Sequence, residues 1–85
     1  MSYNLIYTRR ADKGIAKLDP AIKRQLGKAI LKLQENPVEH SEKLTDPLIG
    51  TYRYRIGDYR IIFDIDGDNV VILRVGHRKE IYRRI

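Results

Sequence analysis

The sequence contains no cysteine and no long apolar run. Without cysteine the chain can form neither a disulfide framework nor a thiolate metal site, which suits a reducing compartment. The apolar run within the first ten residues, MSYNLIYTRR, is far too short for a signal peptide or a transmembrane helix. We therefore expect a soluble, cytoplasmic protein.

Familiar catalytic motifs are missing as well. The chain has no glycine-rich phosphate loop, no Ser–His–Asp arrangement, no internal repeat and no linker. Asp64, Asp66 and Asp68 stand close in sequence, but the last two flank the glycine of a turn and do not indicate a metal site. If the protein cleaves phosphodiester bonds, we expect it to use no metal ion and no other cofactor.

Length and charge narrow the remaining possibilities. A chain of 85 residues predicts one small domain, residues 1–85, with a thin core. The 17 Lys and Arg against 11 Asp and Glu give a net charge of +6. This excess favours a polyanionic partner, either nucleic acid or an acidic protein, although a generic basic surface that aids solubility is the alternative.

Two helices are predicted in the N-terminal half. Thr8 can cap the first of them, directly after a short strand at residues 3–7. Asp19 followed by Pro20 begins the second, since aspartate is a favoured N-cap and proline fits the first helical turn. Asn36-Pro37 ends it. The short connection between the helices predicts an antiparallel helical hairpin.

In the C-terminal half, apolar residues no longer recur at the spacing of a helix but at every second position, as in a strand. A loop over 37–50 precedes three strands at about 51–56, 59–66 and 69–76, and a short helix follows within 78–85. Gly57-Asp58 and Gly67-Asp68 are the tight turns between the strands. The expected order is β-α-α-β-β-β with a short final helix. This is an α+β domain whose helical hairpin packs on one face of a small, mostly antiparallel sheet.

The first predicted turn concentrates arginine on one side of the sheet. A two-residue loop at Gly57-Asp58 pairs Arg55 with Arg60, and strand alternation adds Arg53 to the same side, here called the arginine face. Like charges placed opposite each other destabilise a sheet, so this pairing indicates a bound anion such as phosphate. The alternative is that these arginines extend into solvent and pair with nearby aspartates.

Three more candidates follow the last predicted strand. His77 and Arg78 come directly after Gly76, at a strand end, where functional residues on a rigid scaffold are common. Tyr82 lies one helical turn beyond Arg78. Each has an ordinary alternative: His77 as an exposed or structural side chain, and Tyr82 as a core or interface aromatic.

In order and spacing these pieces resemble a known family. YRYRI (52–56), DYRIIF (58–63) and Gly76-His77-Arg78 followed by Tyr82 are similar to the C-terminal half of the RelE/ParE toxin superfamily, and in particular to its RelE-type messenger-RNA interferases. The N-terminal strand and helical hairpin fit too, so the resemblance covers the whole chain. It implies a toxin of a type II toxin–antitoxin system, held inactive by a cognate antitoxin.

The resemblance also implies an activity and its residues. RelE-type toxins enter the ribosomal A site and cleave messenger RNA there, by attack of a ribose 2′-hydroxyl on the neighbouring phosphate. The family's functional positions fall on the following residues of this chain: Arg53, Arg55, Arg60, Arg78 and Tyr82. Related toxins often carry lysine at the first two. Because arginine stays protonated, His77, Tyr82 or the ribosome must supply the base, and we expect weak cleavage of free RNA.

Two other functions remain open at this point. A ParE-like inhibitor of DNA gyrase would share the fold but bind a protein and cleave nothing. Such proteins tend to lack the full set of arginines and the Gly-His-Arg segment that this sequence has. The second alternative is an inactive module that binds nucleic acid together with its antitoxin.

Overall fold

A computed structural model of the chain describes residues 2–45 and 50–82. The elements within these ranges are β1 (Asn4–Tyr7), α1 (Arg9–Ala16), α2 (Pro20–Glu35), β2 (Glu42–Lys43), β3 (Tyr52–Ile56), β4 (Tyr59–Asp66) and β5 (Asn69–His77). The described strands form one sheet in the order β1-β5-β4-β3-β2. Of the described helices, neither is long and apolar enough to cross a membrane.

The sheet is built around the three predicted strands. β3, β4 and β5 follow one another as antiparallel neighbours. Gly57 and Gly67 in the connecting turns have φ of 57° and 58°, the left-handed conformation that glycine adopts without steric cost. β2 pairs antiparallel with β3, and β1 pairs in parallel with β5. The predicted α+β class and its mostly antiparallel sheet are therefore confirmed.

The two helices begin and end where the sequence predicts. The Thr8 hydroxyl accepts a hydrogen bond from the backbone N–H of Ala11 at 3.1 Å and so caps α1. Pro20 is the first residue of α2, and Asp19 before it has an extended backbone. Within the described chain the Asp19 side chain makes no capping hydrogen bond, so its place at the N-cap is correct but its expected contact is not formed.

The helices pack on one face of the sheet and leave the other to the arginines. The buried residues of this layer are Ala11, Leu18 in the connection between the helices, Leu26, Ala29, Ile30 and Leu33, which meet Ile61, Phe63, Val70, Ile72 and Val75 of the sheet. The Phe63 ring is fully buried and stacks on Tyr52 at a centroid distance of 5.5 Å. A second, smaller apolar cluster forms around Ile62 and Ile81 on the opposite face.

Helix α1 lies unusually close to β5. A Cβ atom added at Gly14 would collide with the backbone carbonyl oxygen of Val75. Only glycine permits this approach, because any side chain would force the helix away from the strand. The contact fixes α1 as one wall of a cleft along the C-terminal half of β5.

Two sequence predictions are wrong in detail. The predicted loop 37–50 contains strand β2, which forms because Glu42 and Lys43 pair with the otherwise open edge of β3. Residues 78–82 form a turn and not a helix: the N–H groups of Glu80 and Ile81 both return to the carbonyl of His77, which makes a single turn that is not repeated in the described residues. Residues 83–85 of the predicted helix, and 46–49 of the predicted loop, lie outside the described residues.

Candidate functional site

The register of β3 and β4 is the one the turn predicts. Ile56 pairs with Tyr59 and Arg55 pairs with Arg60. Side chains at alternate positions therefore point to opposite sides: Ile61 joins the main core beneath the helices, and Ile62 joins the smaller cluster on the other face. The predicted arginine face is thus the side of the sheet away from the helices.

Arg53 is the centre of a polar cluster on the arginine face. Its Nη1 donates to the Tyr82 hydroxyl at 2.9 Å, and its Nη2 donates to Oε2 of Glu42 at 2.7 Å. The Tyr82 contact first, and then the Glu42 contact, raise the pKa of Arg53 above its ordinary value. Arg53 is therefore a fixed cation, and Tyr82 reaches the arginine face as the resemblance implies.

Glu42 is a member of this cluster that the sequence did not reveal. Its second oxygen, Oε1, lies 3.2 Å from Nε of Arg55, so one carboxylate bridges two arginines. The hydrogen bond from Arg53 is the main cause that lowers the pKa of Glu42, and the side chain remains 51% exposed. The carboxylate is consequently ionised at neutral pH and accessible from solvent.

Arg60 and Arg78 are both attached to the Gly57-Asp58 turn. The Arg60 side chain is buried, and its Nη1 donates to the carbonyl oxygens of Gly57 at 2.7 Å and Tyr59 at 2.9 Å. Arg78 is exposed; its backbone N–H donates to the carbonyl of Asp58 at 2.8 Å, and its Nε lies 3.7 Å from the Asp58 carboxylate. The turn therefore holds two cations whose positions depend on backbone contacts.

A register shift in β4 and β5 decides which side the last residues of β5 occupy. Phe63 pairs with Ile72, but Ile62 pairs with Arg74, so β5 has one extra residue at this point. A one-residue slip moves every later side chain to the opposite face. Arg74 consequently lies opposite Ile62, where it is buried and its Nη1 donates to the carbonyl of Ile81 at 3.0 Å. The sequence did not single out Arg74.

The same shift keeps His77 away from the arginine face. His77 pairs with Tyr59, whose ring packs against the main core, and the two rings meet edge to face at 5.3 Å. His77 lines a cleft of about 530 Å³ between α1 and β5, with Arg10, Lys13, Lys17 and Glu80 among the other lining residues. The structure therefore brings together the other five candidates at the arginine face and the turn beside it, and places His77 across the sheet.

The arrangement suits chemistry on a phosphodiester. Guanidinium groups bind phosphate oxygens and stabilise developing negative charge, and the ionised Glu42 can accept a proton. The Tyr82 hydroxyl accepts from Arg53 through its oxygen, which leaves its own proton free to be donated. Among residues 2–45 and 50–82, no group of three His, Asp or Glu side chains is placed to hold a metal ion.

Comparison with known proteins gives a family. Residues 5–82 match the sequence model of the ParE toxin of type II toxin–antitoxin systems, parDE. The chain is also 38% identical over 87 residues to Toxin RelG of Mycobacterium tuberculosis, an alignment that covers 99% of this chain and all of RelG. Both comparisons extend over nearly the whole sequence.

Solved structures agree with the sequence comparisons. The fold is similar to the toxin–antitoxin complex RelBE2 from Mycobacterium tuberculosis, with a TM-score of 0.82, 33% identity and coverage of 92% of this chain and 100% of that one. A mutant of E. coli toxin RelE in the free state gives a TM-score of 0.77 at 27% identity, covering 96% of this chain and 92% of that one. The chain therefore belongs to the RelE/ParE superfamily and is the toxin of a type II toxin–antitoxin system.

Proposed function

We propose that this toxin is an endoribonuclease that cleaves messenger RNA in the ribosomal A site of the cytoplasm, without a metal ion. The observation that carries the proposal is the contact of Arg53 with both Tyr82 and Glu42. It joins a phosphate-binding cation, a proton donor and a proton acceptor in one cluster. A surface that only bound a protein would not require this combination.

The arginines would bind and stabilise the reacting phosphate. In the transition state negative charge gathers on the phosphoryl oxygens, and donors that are already in place stabilise it most effectively. Arg60 meets this condition because the residue is only 9% exposed and its side chain is held by two carbonyl oxygens. Arg55, with 58% of its side chain exposed, is the more accessible partner for the substrate.

Proton transfer would fall to Glu42 and Tyr82. As the ribose O2′–phosphorus bond forms, the Glu42 carboxylate takes the proton from the 2′-hydroxyl. As the phosphorus–O5′ bond breaks, the Tyr82 hydroxyl gives a proton to the leaving oxygen. The products are a 2′,3′-cyclic phosphate and a free 5′-hydroxyl, and a later proton exchange with water restores both side chains. His77 takes no part in this scheme, because it lies on the other side of the sheet.

A cognate antitoxin is the second expected partner. Similar toxins have been solved in complex with RelB antitoxins, including those of Mycobacterium tuberculosis and E. coli. The net charge of +6 favours an acidic partner. An antitoxin that covers the arginine face would block substrate and neutralise charge at once.

Purified toxin tests the proposal directly. We expect it to cut messenger RNA on translating ribosomes, with cyclic-phosphate and 5′-hydroxyl ends, and to cut the same RNA much more slowly when no ribosome is present. A DNA supercoiling assay run beside it measures the competing function. Inhibition of gyrase without RNA cleavage would establish the ParE-like alternative. Absence of both activities, with no growth arrest on expression, would establish a binding module.

Replacing Glu42 with glutamine separates proton transfer from binding. The amide keeps the size of the side chain but cannot accept the proton, so we expect single-turnover cleavage on ribosomes to fall by about a hundredfold or more. Affinity for RNA should be kept or increased, because a negative charge leaves the arginine face. Since the pKa of Glu42 is lowered, the wild-type rate should not fall as the pH decreases from neutral until it is below the ordinary range for glutamate.

The matched control for this variant is Glu39→Gln. Glu39 is an exposed acid of the preceding loop that contacts Asn36 and His40 and lies outside the arginine cluster. Its replacement changes the net charge by the same amount, and cleavage should remain at the wild-type rate. Equal activity of Glu42→Gln and Glu39→Gln would exclude Glu42 as the base.

A further inference from the structure

The turn formed by residues 77–82 carries two candidate residues to the arginine face. It begins at His77, on the helix side of the sheet, and ends at Tyr82, whose hydroxyl meets Arg53 on the other side. Arg78 lies between them, beside the Gly57-Asp58 turn. The path of these few residues therefore determines where the Tyr82 hydroxyl is placed.

Three consecutive backbone N–H groups of this turn donate hydrogen bonds to His77. Its backbone carbonyl accepts from Glu80 and from Ile81, both at 2.9 Å. Its ring nitrogen Nδ1 accepts from the backbone N–H of Lys79 at 3.1 Å. The edge-to-face contact with Tyr59 fixes the plane of the ring. The imidazole therefore serves as a backbone cap for the turn.

We propose that His77 is a positioning residue, whose unprotonated Nδ1 sets the turn so that the Tyr82 hydroxyl reaches Arg53. The catalytic consequence rests on the proposed endoribonuclease function, whereas the effect on the turn does not. The half-buried ring lies across the sheet from the arginine face and from Glu42, so it acts on Tyr82 through the backbone of the turn. His77 therefore contributes to the site without lying on the arginine face.

This role of His77 makes the turn sensitive to acid. An imidazole accepts a hydrogen bond at Nδ1 only while that nitrogen carries no proton. Protonation there removes the contact with Lys79, because the Nδ1–H group and the Lys79 N–H group are then both donors and repel each other. The charged or titratable groups that line the cleft with the ring are Tyr59 of β4, Arg74 of β5, Arg10 and Lys13 of α1, Lys17 at its C-cap, and Glu80 of the turn. An asparagine in place of His77 would keep a hydrogen-bond acceptor at this position when the pH is lowered, because its amide oxygen does not become protonated.

The experiment compares His77→Asn with His77→Leu. The asparagine Oδ1 occupies nearly the position of Nδ1 and can accept from the N–H two residues later, as in an Asx-turn. Leucine has a similar shape and no acceptor. We expect amide hydrogen exchange of Lys79, followed by NMR in the isolated protein, to be about threefold to tenfold faster in the leucine variant and close to wild type in the asparagine variant.

Cleavage on ribosomes and its pH profile supply the second readout. The leucine variant should cleave about threefold to tenfold more slowly, with asparagine restoring the rate, and the ratio of asparagine to wild-type activity should rise as the pH is lowered. Equal exchange at Lys79 in all three proteins would overturn the proposal. So would an equal loss of cleavage in both variants, since the imidazole would then be needed for itself. If wild type cleaves nothing, the proposed function fails, and the exchange rates still decide the role of His77.

Discussion

Replacing Arg60 with alanine is expected to lower the rate of messenger cleavage by about a hundredfold to a thousandfold, the usual cost of removing one donor that stabilises an anionic transition state. The effect should be large because Arg60 is buried and already held by the carbonyls of Gly57 and Tyr59, so its charge needs no rearrangement to act. Single-turnover cleavage on ribosomes, with toxin in excess, measures the chemical step. Expression of the variant should also fail to arrest growth.

Arg24→Ala is the matched control for Arg60→Ala. Arg24 is an exposed residue of α2, so its loss removes the same charge far from the arginine face. Thermal unfolding of both variants shows whether the Gly57-Asp58 turn survives without the Arg60 contacts. A folded Arg60→Ala protein that cleaves as fast as Arg24→Ala would remove Arg60 from the mechanism, and retained toxicity without cleavage would favour the gyrase-inhibitor function.

Replacing Gly14 with alanine is expected to lower the free energy of unfolding by about 3 kcal/mol, at the upper end of the usual cost of overpacking. The added Cβ would meet the backbone carbonyl of Val75, and a strand backbone within the sheet cannot move aside as a side chain can. Helix α1 must therefore retreat from β5. Urea denaturation of purified protein measures the change.

Gly27→Ala is the matched control, and it is expected to raise the free energy of unfolding where Gly14→Ala lowers it. Gly27 lies within α2, and a Cβ there would meet nothing within 4 Å. Alanine is a better helix former than glycine by roughly 0.5–1 kcal/mol, so this variant should be more stable than wild type. If Gly14→Ala were also neutral or stabilising, the close approach of α1 to β5 would not be a requirement of the fold.

Much of the fold and half of the site follow from local signals. The Gly57-Asp58 turn sets the register of its two strands, and alternation then places Arg53, Arg55 and Arg60 together without any knowledge of the rest of the molecule. Thr8 and Pro20 act in the same local way on the helices. Such signals succeed because each depends on residues only a few positions apart.

The remaining features depend on contacts between distant parts of the chain. Glu42 enters the site through a strand of two charged residues, which has no pattern of its own and exists only because β3 offers an edge. The shift between Ile62 and Phe63 exchanges the faces of the following residues of β5. Without it, strict alternation would place His77 on the arginine side and Arg74 beneath the helices, so the sequence could not locate either residue.

The parallel pairing of β1 with β5 also governs the order in which the protein can be completed. Asn4 is the partner of Asn69, and Tyr7 is the partner of Ile72, so β1 cannot pair with its neighbour until residues 69–72 have been synthesised. Contacts between residues so far apart in sequence form late and slowly. A nascent chain that ends before β5 carries the arginine hairpin without the strand beside it or the tyrosine over Arg53. The arginine hairpin therefore gains its neighbouring strand, and Arg53 its contact with Tyr82, only after translation has passed β5.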